Sequence, residues 1–311
     1  MAWRAFRCRL SAVTALLPLA AAGLTGTARA GQQAVPCPIT IAASDASRSA
    51  LGTVRVVTPL RVETWNMQGS TAQGECLWAL QVRPLARTNH VVALQEAGAP
   101  PASAANSLTN RWVRHGFTVE EYLWETGTRR RPETYYLYWM RTDTSSGPAG
   151  RVNLALVVPE AHRAVDVAVA WDPAPNRGSV RPALGIVPSG VDTWVFTVHA
   201  SAQPQTGGGG RGGWDGPRIV QAVECAVAGS GRPWIAAGDW NRVPNNWAAP
   251  TGARMIEIAP QQPTRPASGS VIDYAVVNDT LARAPRAARA RTDTRRGGGQ
   301  SDHLPVAFEF S

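Results

Sequence analysis

Trp194-Val195-Phe196-Thr197-Val198 ends on His199, and Trp234-Ile235-Ala236-Ala237 ends on Gly238-Asp239-Trp240-Asn241. Each is a short apolar run closed by a polar tip, as expected of a buried strand whose far end reaches a surface. Between them lie a glycine-rich loop, residues 207–213, and a helical stretch near 218–228. The same grammar stands earlier in the chain. Arg61-Val62-Glu63-Thr64-Trp65 alternates like a strand and runs into Asn66-Met67-Gln68-Gly69. A helical stretch follows over 75–85, and then Val91-Val92-Ala93-Leu94 ends at Gln95-Glu96. Each half therefore reads strand, polar tip, helix, strand, acidic tip. Two such halves predict an α/β protein of four layers, an α/β/β/α sandwich in which two mixed sheets pack face to face with helices outside. Two further strands are expected between the halves, at 134–140 and 152–158. The rings of the first (Tyr135, Tyr136, Tyr138, Trp139) read as ordinary sheet and core packing.

The chain has 311 residues, 44% of them hydrophobic, which allows a sizeable core and argues against wholesale disorder. Its first thirty residues stand apart. Arg4, Arg7 and Arg9 precede an apolar run from Leu10 to Leu24, and Ala28-Arg29-Ala30 is a small-x-small site. This is the pattern of a secretory signal peptide over 1–30, with Gly31 as the mature start. The apolar run falls short of the ~20 residues a membrane span needs, and no later stretch is long enough. Residues 31–57, rich in Ala, Ser and Gln, read as a flexible arm, and 58–311 as one globular domain. The expected location is outside the producing cell.

The formal charge is +9, and removing Arg4, Arg7, Arg9 and Arg29 leaves 9 − 4 = +5, still suited to a polyanionic partner. Every basic residue is arginine. Two causes fit: a GC-rich genome, or selection against ubiquitin acceptors in a toxin that must survive a host cytosol. Cys37, Cys76 and Cys225 remain after processing, an odd count that allows one bridge and one spare thiol or a link to another chain. None has a second Cys or His at zinc-ligand spacing.

The polar residues fall in one kind of place. Asn66, Glu96, His199, Asp239, Asn241, Asp273 and His303 each stand at or just beyond the end of an apolar strand. In a layered α/β protein such ends converge on one edge, where sites are built. Hydrolysing a phosphodiester at neutral pH needs a hard cation, a base for water and donors for the charge that develops. Oxygen ligands such as Glu96 and Asn66 suit magnesium, and two histidines, each with a carboxylate, supply acid and base. Asp273 with His303 is one candidate pair and Glu133 with His199 the other. His90, His115 and His162 read as structural.

The segments T-W-N-M-Q-G at 64–69, A-L-Q-E-A-G at 93–98, T-V-H-A at 197–200, G-D-W-N at 238–241, I-D-Y-A-V at 272–276 and S-D-H-L-P-V at 301–306 resemble the endonuclease/exonuclease/phosphatase superfamily of deoxyribonuclease I-like proteins. Each segment alone is weak, but the ordered set is specific. Within that superfamily the sequence resembles the catalytic B subunits of cytolethal distending toxins. Gly69-Ser70, A-G-A-P-P at 97–101 and G-R-V-N-L-A-L-V at 150–157 carry this closer likeness. By this resemblance Glu96 binds the metal, with Asn66 and Asp302 nearby. His199 and His303 are the catalytic pair, Asp273 supports His303, and Asp239 and Asn241 orient water and phosphate. Arg131, Arg151 and Asn153 match phosphate contacts. Glu133 fits the carboxylate that supports the first histidine of the pancreatic-type nucleases better than anything in the toxins. The run 207–213 and the long arm depart from the toxin pattern and put holotoxin assembly in doubt.

The resemblance implies a secreted, Mg2+-dependent DNA endonuclease (with Mn2+ or Ca2+ able to substitute or assist), acting as the active subunit of a genotoxin that reaches the host nucleus. Arg129-Arg130-Arg131 and the arginine-dense loop 283–300 fit non-specific, salt-sensitive DNA contact. A phosphoinositide phosphatase on the same site, or a scavenging nuclease with no host target, fits the same residues. A non-catalytic binding module would be expected to have lost an essential residue, and none is missing. Lectin-like delivery subunits are the expected partners if the toxin reading holds.

Overall fold

The protein is described here by a computed structural model covering residues 59–69, 74–142, 152–172, 181–202, 215–246, 255–278, 289–292 and 301–310. The expected signal peptide and arm, the 207–213 loop, Cys37 and Arg151 all lie outside these residues.

Two sheets form the centre. The larger contains β1 (Leu60–Asn66), β2 (Val91–Gln95), β3 (Leu108–Arg114), β4 (Phe117–Thr128), β5 (Arg131–Met140), β6 (Leu154–Pro159), β13 (Arg289–Thr292) and β14 (Val306–Phe310), in the order β13-β14-β1-β2-β6-β5-β4-β3. The smaller contains β7 (Ala164–Ala170), β8 (Ala183–Pro188), β9 (Trp194–His199), β10 (Trp234–Asp239), β11 (Met255–Ile258) and β12 (Asp273–Asn278), in the order β11-β12-β10-β9-β8-β7. Each sheet has one parallel pair at its heart: β1 with β2, and β9 with β10. A parallel pair needs a crossover, and in both cases that crossover is helical. After β1 come α1 (Gly74–Leu77), a π-turn over Trp78–Val82 and α2 (Arg83–Ala86); after β9 comes α3 (Asp215–Val227).

Three apolar clusters fill the spaces between layers. Val62, Val91, Leu156, Val195, Ile235 and Phe308 pack between the sheets. Trp78, Val82 and Leu85 cover the outer face of the larger sheet against Trp65, Leu94 and Leu137. Ile219, Val220 and Val223 of α3 cover the smaller sheet against Phe196, Trp234 and Val276. The result is the expected α/β/β/α sandwich. The parallel pair β9/β10 is tight: a Cβ on Gly238 would meet the Val198 carbonyl oxygen at 1.9 Å, so only glycine fits there.

The helix expected over 75–85 is widened by the π-turn, and Pro84, in the first turn of α2, has no N–H to continue the regular ladder. The two strands expected between the halves are β5 and β6, and two hairpins, β3–β4 and β7–β8, stand there in addition. β3 is an exposed edge strand, so its sequence carries no apolar alternation, and β4 carries Glu120, Glu121 and Glu125. Glu121 is nevertheless buried, held by Arg163 at 2.7 Å. Strands β7 and β8 form the second hairpin. Within the arginine-dense stretch 283–300, read as a loop, residues 289–292 form β13 against β14. The rings of Tyr135, Tyr138 and Trp139 are buried, as core packing requires. Cys76 and Cys225 are both disulfide-bonded.

His90 and His162 stack with ring centroids 4.7 Å apart, and His90 Nδ1 accepts the Arg61 N–H at 3.1 Å. Burial, then the charges of His162 and Arg61, hold His90 below the ordinary histidine value. A histidine that binds its proton less tightly when folded stabilises the fold fully above the unfolded value near 6.5, and loses that contribution as pH falls through the lowered folded value. Denaturant unfolding at pH 7.5 and pH 5.0 should therefore show His90→Gln losing less stability on acidification than wild type. Equal losses would mean that His90 does not titrate against folding.

Candidate active site

The parallel pairs set the geometry. Because β1 with β2 and β9 with β10 run the same way within each pair, each sheet carries two polar tips to one edge, and the Asn66–Asp239 hydrogen bond shows the two edges meeting. Asn66 ends β1, Glu96 follows β2, His199 ends β9 and Asp239 ends β10; Asp273 begins the antiparallel β12 directly opposite Asp239. His303 comes from the segment before β14. That segment is pinned to the end of β1: Ser301 Oγ donates to the Asn66 carbonyl at 2.7 Å, His303 N–H donates to Ser301 Oγ at 3.1 Å, and Trp65 Nε1 donates to the His303 carbonyl at 3.1 Å.

The two histidines face a common carboxylate. Asp239 Oδ2 lies 3.8 Å from His199 Nε2 and 3.8 Å from His303 Nε2, and Glu96 Oε1 lies 3.8 Å from His199 Nε2. His303 Nδ1 is hydrogen-bonded to Asp273 at 2.9 Å, which leaves Nε2 as the working nitrogen. Burial alone would lower the His303 value, but the hydrogen bond and charge of Asp273, followed by the charges of Asp239 and Asp302, outweigh it and raise the histidine to about 9. Asp239 is pushed up to about 7, by burial first and then by the charge of Asp273.

Asn66 sits between the acids. Its Nδ2 donates to Asp239 Oδ2 at 2.9 Å and approaches Glu96 Oε1 at 3.5 Å, while its Oδ1 accepts the Gln68 N–H at 3.0 Å. Asn66 Nδ2 thus bridges the two carboxylates, at the place where an oxygen ligand was expected. The backbone N–H of Asn241 donates to Asp239 Oδ1 at 2.8 Å, and its side chain ties to the Ala200 carbonyl at 2.8 Å, joining the loops after β9 and β10.

Asp239, Asp273 and His303 offer ligand atoms within 4.8 Å of one another and could hold a metal ion. Asp273 and His303 are already bonded to each other, so Asp239 and Glu96 carry the oxygens best placed to take a cation. The donor set fits a hard divalent ion: it consists of carboxylate oxygens, and Asp239 is raised by burial and then by the charge of Asp273, both of which a bound cation would offset.

Several expected residues are not brought here. Glu133 bonds Arg87 and Tyr135 instead of His199. The register explains why. Met140 pairs with Leu154 and Tyr135 with Pro159, while Leu94, beside the site, pairs with Ala155. Residue 133 therefore lies toward the opposite end of β5, about 23 Å from Met140 at ~3.3 Å per residue. Arg131 lies beyond it on the same strand and is likewise removed from the site. Asn153 is adjacent to the site but fully buried, its amide donating to the Gly98 carbonyl and accepting the Thr142 N–H, which braces the Glu96 loop and leaves it no exposed surface for a phosphate. Asp302 stands at the rim of the site, its Oδ2 held by Arg265 at 2.7 Å and its Oδ1 3.7 Å from His303 Nε2. Arg265, which no motif marks, is the functional candidate that the sequence reading missed.

Matches to known proteins agree with this geometry. The profile of the Endonuclease/Exonuclease/phosphatase family matches residues 64–303. The B subunit of the Escherichia coli cytolethal distending toxin is 34% identical over 265 residues, covering 80% of this chain and 91% of the relative. A Salmonella typhi homolog of that B subunit is 34% identical over 270 residues, covering 81% and 90%. The crystal structure of the Haemophilus ducreyi cytolethal distending toxin aligns with a TM-score of 0.65 at 34% identity, covering 80% of this chain and 97% of that one.

Three non-glycine residues at this edge adopt left-handed backbone: Gln68 (φ 49°), Glu96 (φ 46°) and Asn241 (φ 51°). Such conformations cost on the order of 1–3 kcal/mol each and persist where the surroundings impose them. Glu96→Gly relieves this strain, so thermal unfolding should show a gain of about 1 kcal/mol after the entropic cost of glycine. A loss of stability would show that Glu96 is not held against its backbone preference.

Proposed function

Because the chain belongs to the endonuclease/exonuclease/phosphatase family, on the side of the cytolethal distending toxin B subunits, we propose that this phosphoesterase is a secreted, magnesium-dependent endonuclease that nicks DNA without sequence preference, as the active subunit of a toxin of that type. The observation that carries this reading is the carboxylate of Asp239, equidistant from His199 Nε2 and His303 Nε2. A phosphodiester placed over Asp239 would lie within reach of both imidazoles, one nitrogen to accept the proton of the attacking water and the other to donate to the leaving oxygen. Asp273 keeps the His303 ring in one tautomer and orientation. Glu96 and Asp239 would hold the divalent cation, with Asn66 fixing both carboxylates. Such an ion supplies neutralisation of the non-bridging oxygens. Mn2+ or Ca2+ would fit the same oxygen ligands. Secretion rests on the sequence of residues 1–30, and delivery by lectin-like subunits on the likeness to the toxins. No helix among the described residues is long and apolar enough to cross a membrane.

The test is relaxation of supercoiled plasmid by the purified protein, with magnesium and with EDTA. Wild type should nick only with the metal, and His199→Gln and His303→Gln should each lose activity by ~10²–10⁴-fold. Asp273→Asn should fall within the same range, since it loses the charge that orients His303. No nicking by folded wild type would remove the DNA reading; hydrolysis of phosphoinositides in its place would assign the site to that substrate.

A further inference from the structure

We infer that Arg265 binds a second phosphate of the substrate, the one next to the phosphodiester being cut; this rests on the nuclease reading above.

The backbone around Arg265 is fastened to both members of the His303–Asp273 pair. Thr264 is fully buried, and its hydroxyl accepts the N–H groups of Ile272 and Asp273 at 3.0 and 3.1 Å. Its carbonyl accepts the N–H of Leu304, the residue after His303, at 2.7 Å. Arg265 then opens a tight turn closed by its own N–H on the Ser270 carbonyl at 3.0 Å. The position of Arg265 is therefore set by the same hydrogen bonds that place Asp273 and the strand after His303.

Its guanidinium is paired with a carboxylate of the site. Nε donates to Asp302 Oδ2 at 2.9 Å, Nη2 lies 2.7 Å from the same oxygen as an ion pair, and Asp302 Oδ1 lies 3.7 Å from His303 Nε2. Asp302 is held in turn by its own N–H on Gln68 Oε1 at 3.1 Å. One carboxylate thus separates the Arg265 fork from the working nitrogen of His303. A phosphate on that fork cannot be the one under attack at Nε2, but it can be its neighbour along the strand.

Stability does not account for this arrangement. The Arg265 side chain is 42% exposed and that of Asp302 28%, and pairs so open to water contribute about 0–1 kcal/mol. Asp302 accepts the Nε–H and shares one oxygen with Nη2, and the planar fork matches a phosphate in a way that a point charge does not. Asp302 acts as the tether that keeps the long side chain over the site, which lessens the entropy lost on binding.

The experiment compares wild type, Arg265→Ala and Arg265→Lys on an oligonucleotide duplex and on bis(p-nitrophenyl) phosphate, a diester with one phosphate. Affinity for a labelled duplex is followed in parallel by fluorescence anisotropy across a salt series, in EDTA so that nothing is cut. Arg265→Ala should raise KM for DNA about tenfold and reduce the salt slope of binding by about 1. Its loss of activity on DNA should exceed its loss on the small diester at least fivefold, and Arg265→Lys should recover part of the DNA affinity. An equal fall in kcat on both substrates would make Arg265 a positioning residue for Asp302 and His303 and overturn the proposal, as would an unchanged salt slope. Wild type that binds DNA but cuts neither substrate would defeat the nuclease reading alone, since the binding series still decides the role of Arg265.

Discussion

Gln95 lies fully buried between the two sheets, where an amide must find partners for both of its ends. Its Nε2 reaches Thr64 Oγ1 on β1 at 2.9 Å and Thr197 Oγ1 on β9 at 2.8 Å. Thr197 Oγ1 donates onward to the Leu94 carbonyl at 3.0 Å, and Thr64 Oγ1 to the Ala93 carbonyl at 3.1 Å. The bridge joins β1, β2 and β9 across a sandwich whose remaining inner contacts are mostly apolar and directionless. Asn66, Glu96 and His199 follow its three members within two residues. Because a strand slipped by one residue turns every side chain to the other face, the bridge also fixes which faces these groups present.

Above the bridge the site gathers unfavourable terms. Buried carboxylates repel one another, and three residues sit in left-handed backbone. Close approach is enforced even between loops: a Cβ on Gly69 would meet the Glu96 carbonyl at 2.1 Å. No one of these features favours folding. They hold because the sheets beneath are packed on both faces and cannot relax locally without breaking strand pairing. The same crowding gives Asp239 its place between two imidazoles.

Two arginine–carboxylate pairs show how location, and not chemistry, decides meaning. Arg87 with Glu133 and Arg265 with Asp302 are alike as ion pairs, and both are partly open to water. The first lies toward the far end of β5, where it joins the segment before β2 to the larger sheet. The second stands one carboxylate away from His303, on a turn stapled to the catalytic pair.

By itself the sequence determined the layers and the inner site. Strands that are apolar throughout and end in Glu96, His199 and Asp239 leave few arrangements: buried parallel pairs, with polar tips at one edge and a helix on each outer face. It also offered Asp273 and His303 as a pair, though both read as residues at strand ends; in the structure the first opens β12 and the second precedes β14. Register and spacing across strands were decided only by the tertiary structure. Glu133 looked like a partner for His199 because sequence shows a carboxylate near a strand but not which end of the strand meets the site. The edge hairpin β3–β4 was hidden for a related reason, since exposed strands need no apolar pattern and a buried Glu121 is legible only once Arg163 is beside it. Arg265 carries no motif at all. Its placement arises from hydrogen bonds between residues 264, 273 and 304, and contacts so distant along the chain exist only after the sheets have packed.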